Sequence, residues 1–190
     1  VLIAAGKEPL LRETATKEVV EVTPARWWIL LVYCLLAMCQ SCTWNIYSPI
    51  YPAVYKAFPS WTSGYVNWLI NSANISFGLA LYPVSRAIPI YGPRKVTVAS
   101  SAMIFLGASL RCLPIEGKTQ QAVQVLAMLS NGVGGAWLNF GGPILSETWF
   151  PSEERTTATA IASVATYTGA ALGFVVGPAT VGTPDSRTEA

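Results

Sequence analysis

Residues 27–55 contain no Asp, Glu, Lys or Arg, and the same holds for residues 57–85, 120–146 and 156–184. A shorter uncharged run covers residues 96–110. At ~1.5 Å rise per residue, about 20 helical residues cross a ~30 Å hydrocarbon layer, so each run is long enough, or nearly so. A chain of 190 residues divided in this way has little left from which to build a soluble core. Its 52% apolar and 12% charged composition, with mean hydropathy +0.43, points the same way. The pattern predicts an all-α integral membrane protein with five transmembrane helices over about 27–50, 65–84, 96–113, 122–145 and 158–181.

The cations order these spans. Lys7, Arg12, Lys17, Arg26, Arg86, Arg94, Lys95 and Arg155 fall on the amino-terminal side, whereas the opposite side holds Lys56, Lys118 and Arg187, with Arg111 near the far end of the third span. This asymmetry predicts a cytosolic amino terminus. Residues 1–26 interleave their cations with Glu8, Glu13, Glu18 and Glu21 and lack an apolar core, so they read as a polar cytosolic tail rather than a signal peptide. Residues 182–190 then fall on the lumenal or extracellular side. The triplet Asn74-Ile75-Ser76 lies mid-span and is expected to stay unglycosylated. Seven Trp and eight Tyr suit a protein with two membrane interfaces.

Several functional classes are disfavoured. A net charge of +2 spread over loops gives no nucleic-acid surface. There is no His, and Cys34, Cys39, Cys42 and Cys112 lack metal-ligand spacing, so neither a metal nor a cofactor is expected. Neither a nucleophile–base set nor a phosphate loop is present, and no enzyme is expected. The spans also lack any carboxylate; Glu147 sits only at a cytosolic end. The chain therefore offers no intramembrane proton carrier or buried anion.

What the spans do offer is aromatic and amide surface. The first carries Gln40, Thr43, Trp44, Asn45, Tyr47 and Pro49; the proline removes one helical hydrogen bond and predicts a kink. Trp44 lies below the interface belt, as core or as a flat, electron-rich face for a cationic or aromatic solute. Asn67, Asn71, Asn74 and Gly78 share one face of the second span, which should meet a protein neighbour or a watery cavity. The fourth span is loosened by Gly132, Gly134, Gly135, Gly141 and Gly142, among which lie Asn131 and Asn139. Ala165, Gly169, Gly173 and Gly177 form a small-residue groove on the fifth, read chiefly as tight helix packing.

At these residues the chain resembles the major facilitator superfamily, and within it solute carrier family 49. Arg26-Trp27-Trp28 and Trp44-Asn45-Ile46-Tyr47-Ser48-Pro49-Ile50 look like that family's first helix. Leu110-Arg111-Cys112-Leu113-Pro114-Ile115 looks like the end of its third. Thr148-Trp149-Phe150, Glu154-Arg155 and Ala158-Thr159-Ala160-Ile161-Ala162-Ser163 resemble the junction of helices four and five, and Gly173-Phe174 with Gly177-Pro178 resembles its fifth helix. The resemblance runs over about residues 26–184 and is strongest to the lysosomal branch.

That resemblance implies five helices of an amino-terminal six-helix half, with helix six and the carboxy-terminal half outside this chain. It implies a carrier working by alternating access, with a small organic solute and the lipid bilayer as its partners. The solute implied is pyridoxine-like and proton-coupled; choline, ethanolamine or haem are the alternatives within the family. A non-transporting truncated or regulatory membrane protein is the alternative outside transport. The membrane implied is lysosomal, with the plasma membrane as the alternative. Solute contacts are expected at Trp44, Asn45, Gln40, Tyr167, Asn71 and Asn131, and a gating loop at Gly92, Arg94, Lys95, Glu154 and Arg155. Two positions depart from the family pattern: Pro89 stands where the gating loop carries an acid, and Tyr167 where choline-carrying relatives have a glutamine. Glu8-Pro9-Leu10-Leu11 resembles an acidic dileucine sorting signal with altered spacing.

Overall fold

The computed structural model describes residues 23–115 and 117–181. The polar tail before residue 23, its dileucine-like segment and the end beyond residue 181 lie outside the described residues. Among the described residues the secondary structure is helical throughout: α1 Ala25–Asn45, α2 Tyr51–Ala57, α3 Ser63–Arg111, α4 Gly117–Trp149 and α5 Arg155–Val181. Two of these, α1 and α5, are long and apolar enough by length and composition to cross a membrane.

The boundaries have local causes. A proline ring clashes with the carbonyl four residues before it, and α1 stops at Asn45, four residues ahead of Pro49. The chain turns over residues 46–50 and enters α2 with Pro52 in its first turn, where a missing N–H costs nothing. Thr62 caps α3, its Oγ1 accepting from the Tyr65 N–H at 3.2 Å.

The 49 residues of α3 are not one rod, which at ~1.5 Å per residue would approach 75 Å. Gly92 breaks it with φ 80° and ψ 158°, a backbone state that side-chain-bearing residues rarely adopt. The contacts show that the chain reverses there. Ala73 and Ser76 of the first leg lie against Gly132 of α4, and Ser100 and Ile104 of the second leg lie against Gly134. Two well-separated stretches of α3 thus meet α4 at one level. Where the sequence suggested a loop between the second and third spans, the helices continue through Arg86 and Pro89 to Tyr91 and resume at Pro93.

Five long segments therefore pack side by side with alternating direction. α1 runs antiparallel to α4: Tyr33 Oη donates to the Leu138 carbonyl at 2.8 Å, and Tyr47 Oη to Gln124 Oε1 at 2.7 Å. α5 returns antiparallel to α4 through the Ser146–Thr159 hydroxyl pair at 2.8 Å. It lies parallel to α1, with Gly169 on Met38, Gly173 on Cys42 and Gly177 on Ile46 and Ile50, a register of four residues on each helix. A Cβ on Gly169 would fall 2.6 Å from the Met38 Cα, so backbone meets backbone along this seam.

Two apolar clusters stand at opposite ends. One joins Leu30, Tyr33, Val96, Trp137, Leu145, Phe150 and Ala158, with Val84, Ala87 and Ile88 against it. The other joins Val54, Trp61, Val66, Leu69, Ala73 and Met128, with Tyr47 and Tyr51 against it. The first end carries Arg26, Arg86, Arg94, Lys95 and Arg155; the second carries Lys56, Arg111 and Lys118.

Candidate functional site

Between the two clusters lies a belt of polar and aromatic side chains from α1, α3 and α4. Gln40 and Trp44 are one turn apart on α1 and both rest on Gly135 of α4, whose missing side chain makes the room. A Cβ there would lie 3.2 Å from the Trp44 ring. Trp44 is half-buried, and Phe77 of α3 meets its ring edge-on, with centroids 5.8 Å apart and planes at 85°. Asn131 is buried, donating from Nδ2 to Thr43 Oγ1 at 3.2 Å and leaving its Oδ1 without a protein partner. The Thr43 hydroxyl in turn donates to the Gln40 or Cys39 carbonyl, at 2.9 and 3.0 Å.

The other sequence-expected solute residues lie elsewhere. Asn45 is next to Trp44 in sequence but about 100° further round the helix, and its Cβ faces Gly173 of α5. Its Nδ2 donates to the Ser41 carbonyl at 2.9 Å. Tyr167 is 76% exposed on α5, at the rim of a 110 Å³ cleft shared with Tyr33, Asn139 and Thr166. Asn71 is exposed together with Asn67 and Asn74, while Val66, Leu69, Ala73 and Ser76 fill the packed face of the same leg. Asn71 Nδ2 bonds back to the Asn67 carbonyl at 2.8 Å. The structure thus brings Gln40, Trp44 and Asn131 together and sets Asn45, Asn71 and Tyr167 apart from them.

The gating-loop residues divide as well. Gly92 forms the turn of α3, and Arg94 and Lys95 are exposed just beyond it. Glu154 instead pairs with Arg26 at the start of α1, Nη2 to Oε2 at 3.0 Å. Arg155 Nε donates to the Phe150 carbonyl at 3.0 Å. The Arg26 guanidinium also lies 5.8 Å from the Trp27 ring centroid and 5.6 Å from that of Phe150.

One central residue was not among the sequence candidates. Arg111, at the end of α3, reaches into the belt: Nη1 donates to the Thr43 carbonyl at 2.9 Å and Nη2 to Met128 Sδ at 2.7 Å. Its guanidinium stands 5.4 Å from the Tyr47 ring centroid, and no carboxylate pairs with it among the described residues. Outside the belt, on α2, the hydroxyls of Tyr51 and Tyr55 share a hydrogen bond at 2.7 Å, which raises the Tyr51 hydroxyl above its ordinary range.

This is a helical belt with aromatic, amide and cationic groups, and among the described residues no group of His, Cys, Asp and Glu could hold a metal ion. The sequence model of the Major Facilitator Superfamily matches residues 33–187. The chain belongs to the major facilitator superfamily. It is accordingly a multi-pass membrane protein, and its α-helical structure agrees with that membership. Within the superfamily it is similar to the solute carrier family 49 member 4 homolog of Xenopus tropicalis, 34% identical over 162 residues covering 85% of this chain and 35% of that protein. It is also similar to the choline/ethanolamine transporter FLVCR2 of Homo sapiens, 26% identical over 171 residues, 90% of this chain and 32% of the relative. The choline/ethanolamine transporter FLVCR1 of Mus musculus is 25% identical over 160 residues, 84% and 28%. The chain spans about a third of the length of the curated relatives it matches.

Proposed function

We propose that this superfamily member is the amino-terminal part of a carrier that moves a small organic solute by alternating access, with Trp44 as its aromatic contact. The observation that carries this reading is the placement of Trp44, half-buried against the second apolar cluster, with Gln40 one turn away and Thr43, bonded by Asn131, next to it. The five alternating segments are the five membrane passes. Asn67, Asn71 and Asn74 expose amides that hydrocarbon would penalise, so their face meets the solute path or the remaining half of the carrier. Asn45 and Tyr167 join the path only as the halves rock. Gly92, Arg94, Lys95, Glu154 and Arg155 gate the cytosolic end.

The solute we assign is a neutral pyridine of the pyridoxine type, in a lysosomal membrane, supported by the resemblance to the lysosomal branch of family 49. Proton coupling then requires a carboxylate outside these segments. A second reading, choline or ethanolamine, is favoured by the names of the 25–26% identical relatives and by the electron-rich indole face. Labelled pyridoxine uptake by cells expressing the carrier that contains this segment, with choline and ethanolamine as competitors, tests both. Uptake lost in Trp44→Ala and resistant to choline supports the pyridine; uptake unchanged in Trp44→Ala removes Trp44 from the path. Liposomes holding the 190-residue chain alone should move no solute, and transport there would overturn the half-carrier reading.

A further inference from the structure

Resting on that reading of Trp44, the structure assigns Arg111 as the positioning residue that holds the end of α1, and with it the Trp44 ring, against α4. A helix ends with carbonyls that lack intrahelical partners, and its C-terminus carries a partial negative charge that favours a nearby cation. The last turn of α1 contains no basic residue, and the chain breaks there ahead of Pro49. Arg111 supplies the cation from another helix. Its Nη1 donates to the Thr43 carbonyl, within the last turn of α1, while the residue also occupies the last turn of α3 itself. The guanidinium is half-buried with no acid beside it among the described residues, facing the partial negative charge of the α1 C-terminus, and its Nε has no hydrogen-bond partner.

The same group fixes rotation as well as position. Met128 Sδ accepts from Nη2 on the α4 side, and the Tyr47 ring lies against the guanidinium while its hydroxyl is held by Gln124. Trp44 lies between the two α1-end residues so gripped, Thr43 and Tyr47. Loss of Arg111 would free the end of α1 while leaving the Gly169–Met38 contact and the Arg26 end intact.

The test is ¹⁹F NMR of the full 190-residue chain in nanodiscs, with 5-fluorotryptophan at its seven Trp positions and Trp44 assigned from Trp44→Phe. In Arg111→Gln the Trp44 resonance should shift or split while those of Trp27 and Trp137 stay in place. Arg111→Lys, which keeps a cation at the α1 end, should restore a single Trp44 line. Should Arg111→Gln fail to fold, Met128→Leu carries the test: with the sulfur acceptor gone, the Trp44 line should still move, by less, with Trp137 unmoved. The inference is overturned if the Trp44 line keeps its wild-type position in these variants, or if all seven lines change together. Pyridoxine uptake by the carrier that contains this segment separates the two readings: uptake unchanged in Trp44→Ala removes Trp44 from the solute path, whereas the role of Arg111 is decided by the variants alone.

Discussion

Arg26 and Glu154, 128 residues apart, are joined by a guanidinium–carboxylate contact at 3.0 Å that ties the first turn of α1 to the turn between α4 and α5. The Arg26 side chain is 12% exposed and that of Glu154 37%, so the pair sits between the surface and buried regimes. Exposed pairs contribute little, whereas breaking a buried one is costly because a charge is left unpaired. Arg26→Ala should therefore lower stability by about 1–3 kcal/mol, seen as a lower unfolding midpoint in detergent. The exchange Arg26→Glu with Glu154→Arg should recover part of the loss. If the double variant is as unstable as the sum of the singles, the two residues do not act as a pair.

The α1–α5 seam predicts opposite outcomes for two glycines. At Gly169 an added methyl would collide with the Met38 backbone, which cannot move aside as a flexible side chain can. Overpacking of this kind costs about 1–3 kcal/mol and outweighs the ~1 kcal/mol that alanine gains over glycine in a helix. At Gly78 nothing lies within 4 Å of the added carbon. Gly169→Ala should thus lower the melting temperature in detergent, and Gly78→Ala should hold or raise it. Equal behaviour of the two would mean that α1 and α5 do not touch as described.

Gly92 predicts a conformational cost without a steric one. No atom lies within 4 Å of the position a methyl would take, yet φ is 80°. With ψ at 158° this is a state that essentially only glycine adopts, so any side chain there costs about 1–3 kcal/mol. Gly92→Ala and Gly92→Asn should both lower the midpoint of thermal unfolding. A Gly92→Ala protein as stable as the parent would place the reversal of α3 elsewhere.

The uncharged runs in the sequence fall mostly within helices, but the run 27–55 holds α1, the turn at 46–50 and most of α2, because Pro49 breaks the backbone where composition alone gives no sign of it. Residues 85–95 read as a loop because of Arg86, Arg94, Lys95 and the prolines. A helix need not stop where its side chains become polar, however, and only Gly92 breaks the backbone. Within the candidate site, the sequence reading grouped Gln40, Trp44 and Asn45 as solute contacts, whereas helical geometry puts Gln40 and Trp44 one turn apart and turns Asn45 toward α5. Arg111 was not legible. Its role depends on two helix ends that become neighbours only when α3 folds back on itself and α1 stops early. The available signal was a cation at the far end of the third span, on the same predicted side as the break before Pro49.

The alternating arrangement of segments makes a topology prediction that two cysteines can settle. Cys112 is exposed at the end of α3 opposite Arg26, and Ser152 is exposed in the turn between α4 and α5, beside Glu154. A single segment, α4, separates them. With Cys34, Cys39 and Cys42 replaced by alanine, a membrane-impermeant maleimide should reach Cys112 only from the lumenal or extracellular side. In a variant carrying Ser152→Cys and lacking Cys112, labelling should require access from the cytosolic side, where the excess of Arg and Lys places that end. The reverse pattern would invert the orientation and still be consistent with the proposed alternating passes. Labelling of both positions from one side would mean that α4 does not cross, and an alternating five-pass arrangement could not then be kept.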